Sequence, residues 1–96
     1  MSIQEPPIAL RNTLHQLAEE ARQRAASVPA GTADHDFYVG VITAAEDRLH
    51  PARQDAHDEA WLARQGPSFR DGYLKASDLI SAAAGHTPLH FPLPSR

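Results

Sequence analysis

Cysteine is absent from the 96 residues. That single absence excludes disulfide staples, thiolate zinc sites and a cysteine nucleophile. Lysine is nearly absent as well: Lys75 is the sole one, and arginine supplies the remaining basic charge. The formal net charge is −3. No basic face can be assembled from so few cations, which argues against a nucleic-acid partner, since phosphate neutralisation needs one. No apolar run approaches the roughly 20 residues that span a bilayer, so no membrane partner is expected. The segment Met1–Glu5 carries no basic stretch followed by an apolar one. No secretory signal is therefore expected, and a cytoplasmic location is.

What remains is a short chain that must stand on apolar packing. At this length one domain is expected, with a thin core and association between copies as the usual supplement. Six histidines make the charge sensitive to acid: protonating all of them takes the formal net charge from −3 to +3. The excess of arginine over lysine and the abundant alanine suggest a GC-rich bacterial or phage genome.

Hydrophobic spacing predicts an all-α fold, a small bundle of three to four helices with a proline-rich extended tail. The first helix, about 7–28, opens at Pro6-Pro7, where a missing N–H costs nothing. Leu10, Leu14, Leu17, Ala21 and Val28 share one face of it, and Pro29-Ala30-Gly31 ends it. The second, about 34–49, is expected to be capped by Asp34, with Thr32 as a rival. Phe37, Tyr38, Val41, Ile42, Ala45 and Leu49 form its apolar face. Proline inside a helix removes a hydrogen bond and clashes one turn back, yet the small apolar positions Ala52, Ala56, Ala60 and Ala63 continue the helical spacing past Pro51. The expectation is a kinked continuation over 51–65, with two helices meeting at a corner as the alternative. Gly66-Pro67 stops that element, and Ser68 with Asp71 three residues on has the form of a capping box for a last helix over 68–84. Gly85 closes the domain, taken as 1–85. The tail, 86–96, contains three prolines. Leu89, Phe91 and Leu93 alternate along it, so an extended chain would turn all three the same way.

The expected function is non-enzymatic: a small accessory protein acting through protein–protein contacts, self-associating as a homodimer, with a further protein partner possible and no cofactor. The alanines at 52, 56, 60 and 63 allow a close helix approach, either within the chain or to a second copy. Trp61 beside them serves as a core anchor or an interface residue. Leu89, Phe91 and Leu93 must cover something, whether their own bundle, a neighbouring copy or a partner.

Acids and histidines invite a metal reading. Glu46 and Asp47 stand four and three residues before His50, and His57-Asp58 is the dipeptide of metal-dependent phosphohydrolases. A metal centre needs three converging ligands, and these residues read more simply as a solvated polar face. Leu17-Ala18-Glu19-Glu20-Ala21 resembles the first half of the motif of the all-α nucleotide pyrophosphatases (MazG-like). That resemblance implies a magnesium site on Glu19 and Glu20, completed by Asp55 with Asp58, or Asp58 with Glu59, and acting on a nucleoside triphosphate. The family's third acid, four residues on, is missing, because Gln23 and Arg24 occupy that turn. This is the enzymatic alternative.

Overall fold

The computed structural model describes residues 6–83 and 88–96. Every regular element among them is helical: α1 (Ile8–Ala26), α2 (Ala33–Leu49), α3 (Pro51–Ala56), α4 (Glu59–Ala63) and α5 (Pro67–Ala82). None is long and apolar enough to cross a membrane. Gly85 and His86, the expected domain boundary, lie outside the described residues.

The elements begin and end for local reasons. Pro7 stands at the N-terminal cap of α1, and its carbonyl accepts from Arg11 N at 2.8 Å. The turn after α1 passes through Gly31 at φ +84°, a left-handed conformation that costs glycine nothing. Thr32, not Asp34, caps α2: its hydroxyl oxygen accepts from His35 N at 3.2 Å, while Asp34 lies inside the first turn. The capping box at Ser68 does not form either. Gly66 is the cap of α5 and Pro67 its first residue, so Ser68 falls within the helix; a proline whose φ is already helical makes the better start.

Pro51 decides the middle of the chain. The structure has the corner, not the kinked continuation. His50 sits at φ −128°, ψ 84°, as the clash of a following proline ring requires, and Pro51 opens a new helix. A second break follows at His57 (φ −101°, ψ 67°). Asp58 then caps α4, its Oδ1 accepting from Trp61 N at 2.8 Å. The expected single element over 51–65 is therefore two short helices.

The core is built on α2, which packs against both α1 and α5. Leu14, Leu17 and Ala21 of α1 meet Phe37, Val41 and Ala45 of α2, all of them fully buried. Tyr73, Ala76 and Ile80 close the other side from α5. Each large apolar side chain so buried contributes about 1.5–3 kcal/mol. Phe91 completes the core from residues 88–96, which form no regular element. This segment is also tied by polar contacts. The Thr13 hydroxyl lies 3.1 Å from the Pro88 carbonyl oxygen, Lys75 Nζ donates to the Ser95 carbonyl at 2.9 Å, and Arg96 meets Asp34 at 2.5 Å.

The three apolar tail residues do not face one way. Phe91 is 1% exposed and Leu89 94% exposed, with Leu93 only partly buried against the core. The chain bends at Leu89, so the strict alternation of an extended strand does not apply across it.

Candidate functional site

Asp47 is the only charged side chain fully buried among the described residues. It belongs to the last turns of α2, on the side facing α3 and α5. Its Oδ2 accepts two hydrogen bonds, from the Tyr73 hydroxyl of α5 at 2.8 Å and from His57 Nδ1 at 2.7 Å. Its Oδ1 has no hydrogen-bond partner. The nearest cation to it is Arg53 Nε at 3.8 Å, too far for a hydrogen bond. The guanidinium of Arg53 is instead engaged by Glu46, whose Oε2 accepts from Nη1 at 2.9 Å. Glu46 also pairs with Arg22 of α1.

The two breaks flanking α3 make this arrangement. Were the chain helical from 47 to 57, the two residues would lie about 15 Å apart along the axis at 1.5 Å per residue. The corners at His50 and His57 fold the chain back, so a histidine ten positions on reaches the carboxylate. Its imidazole then lies flat on Trp61, with ring centroids 3.8 Å apart and planes 16° apart. Trp61 in turn meets the rings of Phe69 and Tyr73 edge-on, both at 5.7 Å. The α3–α4 arm is thus held by the His57–Asp47 hydrogen bond, the Arg53–Glu46 ion pair and the stack of His57 on Trp61.

Burial pushes the Tyr73 phenol well above its ordinary range, and its hydrogen bond to the Asp47 carboxylate acts in the same direction. Both effects favour the neutral phenol, which therefore stands as a fixed donor to Asp47.

Beside this cluster opens a cleft of about 540 Å³. Asp47, Tyr73 and Ala44 line it from the core side, His57, Asp55 and Glu59 from the arm. Arg48, Asp58 and Ser77 also border it, and the Arg48 guanidinium is bonded to Ser81 at 2.7 Å.

The residues singled out in the sequence are placed differently. Ala52, Ala56, Ala60 and Ala63 are all exposed, so the close helix contact they would allow is not made within the chain. Trp61 and Leu62 pack partly against the core. Glu19 pairs with Arg22 at 3.8 Å, and Glu20 with His90 at 3.3 Å. Asp55 and Asp58 stand at the cleft. The four carboxylates of the magnesium reading are not brought together, and among the described residues no group of three or more acids and histidines could hold a metal ion.

The solvated polar face expected for these acids and histidines fails at Asp47, which is 1% exposed. Its partner is His57, and only the corner at Pro51 could have signalled that. No family model, curated protein or solved structure matches this chain.

Proposed function

We propose that this chain is a small bacterial or phage accessory protein, cytoplasmic and non-enzymatic, that acts through protein–protein contacts and self-associates as a homodimer. The observation that carries the reading is the exposure of four alanines, two on α3 and two on α4. Neither α3 nor α4 buries a single residue, and Ala52, Ala56, Ala60 and Ala63 all face solvent. The leucine face of α1, the rival partner within the chain, is already covered by α2. Small side chains let a second helix approach closely, and a second copy supplies one. Trp61 and Leu62, partly exposed on α4, supply the larger contacts such an interface needs.

The test is mass in solution. Multi-angle light scattering over a hundredfold range of concentration is expected to give the dimer mass at the upper end. Ala56→Arg with Ala60→Arg, both at exposed positions, is expected to shift the equilibrium to monomer with helicity unchanged. A monomer at every concentration would overturn the proposal.

A further inference from the structure

We propose that the second copy seats on the outward face of α4, antiparallel to its counterpart, so that Glu59 of each chain pairs with Arg64 of the other. This deepens the homodimer reading above and rests on it.

Helical phase defines the face. α4 runs Glu59–Ala63, and Arg64 at its C-terminal cap keeps right-handed helical angles (φ −84°, ψ −8°). At 3.6 residues per turn, Glu59, Ala63, Ala60 and Arg64 follow one another across an arc of about 140°. All four are exposed. Trp61 and Leu62 fall on the opposite side and pack against the core. The fold therefore commits one side of α4 and leaves the other uncovered. The charges on the uncovered side are uncommitted as well. Neither Glu59 nor Arg64 has an ion-pair partner among the described residues, whereas Glu46 on the neighbouring α2 holds two arginines.

Charge order selects the occupant. The face carries an acid at its start, a base at its end and two alanines between them, so it is complementary to itself when reversed. Two such helices related by a two-fold axis place Glu59 level with Arg64 of the second copy, and Ala60 level with Ala63 of the second copy. Symmetry makes each pair twice. The alanines let the two axes approach closely, which brings the long acidic and basic side chains within reach of each other. Leu74 of α5, about half exposed (49%), borders the same cleft as Glu59 and adds apolar surface. The face is small, so the dimer is expected to be a weak one.

The test is sedimentation equilibrium on the full chain. Glu59→Arg and Arg64→Glu are each expected to weaken the dimer about tenfold, since symmetry removes two pairs at once and sets like charges in their place. An equimolar mixture of the two variants is expected to recover the parent's affinity, because each mixed dimer restores two pairs of opposite charge. Raising sodium chloride from about 50 mM to about 500 mM is expected to weaken the parent dimer, as exposed pairs are screened. Circular dichroism and Trp61 emission report whether the arm stays docked. Should a reversal undock it, Glu59→Gln with Arg64→Gln is expected to weaken the dimer several-fold with emission unchanged. A parent that is monomeric throughout overturns the homodimer reading and this seating with it. A parent dimer that the folded charge variants leave unchanged, or a mixture that does not recover, overturns the seating and leaves the homodimer standing.

Discussion

Gly40 of α2 and Gly72 of α5 lie where the two helices press backbone against backbone, and neither position has room for a side chain. A Cβ on Gly40 would overlap the Phe69 carbonyl oxygen and come within 2.9 Å of Tyr73 N. A Cβ on Gly72 would overlap the Phe37 carbonyl oxygen and stand 2.9 Å from its carbon. The obstacle is backbone in both cases, so no rotamer change relieves it. This approach brings Tyr73 close enough to α2 to bond Asp47, and so it sets the floor of the cleft.

Gly40→Ala and Gly72→Ala are therefore expected to destabilise the fold by about 1–3 kcal/mol or more, the cost of overpacking, against the usual gain of alanine over glycine in a helix. Gly66→Ala is the control, since nothing lies within 4 Å of a Cβ there. Urea denaturation reads all three. If Gly40→Ala and Gly72→Ala matched the control, the helix approach described here would be wrong.

Much of the bundle was legible in the sequence, because helices announce themselves by period. Leu14, Leu17, Phe37, Val41 and Leu49 all lie in the core where spacing placed them. A glycine inside each of two helical patterns was legible too, and such glycines usually have a packing reason. Which helix each one touches is a tertiary fact and was not. The site was hidden for a different reason. Sequence spacing presumes an unbroken helix, and under that presumption Asp47 pairs with His50. The corners at His50 and His57 remove the presumption, and only in their presence does His57 become the partner.

Asp47→Ala is expected to cost about 1–3 kcal/mol, the penalty for leaving buried hydrogen-bonding groups without a partner. The loss has two sources: the Tyr73 hydroxyl and His57 each lose an acceptor, and the arm loses its polar tie. Asp47→Asn keeps an acceptor oxygen and is expected to cost less. Thermal denaturation ranks the two, and Trp61 emission reports whether the arm stays docked. Should Asp47→Ala prove as stable as the parent, the arm is held by the aromatic stack and the Arg53–Glu46 pair without help from Asp47.

Alkaline titration isolates the buried Tyr73 phenol, held neutral by burial first and by its bond to Asp47 second. Tyr73 holds its proton more tightly folded than unfolded, so its contribution to stability is complete below the unfolded value near pH 10. Above it the unfolded chain releases the proton and the folded chain does not, and stability falls by up to about 1.4 kcal/mol per pH unit. Tyr73→Phe removes that slope. The measurement is urea denaturation at a series of pH values from 9 upward, comparing parent and variant to cancel every other titrating group. Parallel profiles would mean that the phenol is no more tightly protonated in the fold than outside it.

Phe91 and Leu89 separate the role of the final segment within the chain from any role between chains. Phe91 is 1% exposed and Leu89 94% exposed, although they are two residues apart. Phe91→Ala leaves a hole between helices already fixed by Leu17, Phe37 and Ile80, and is expected to cost about 3–5 kcal/mol. Leu89→Ala removes nothing that packs in the single chain and is expected to change unfolding by no more than about 0.5 kcal/mol. Measured at low concentration, the two values should differ by several kcal/mol. A loss in Leu89→Ala that grows with protein concentration would place this leucine against a second copy, because only a contact between chains couples stability to concentration.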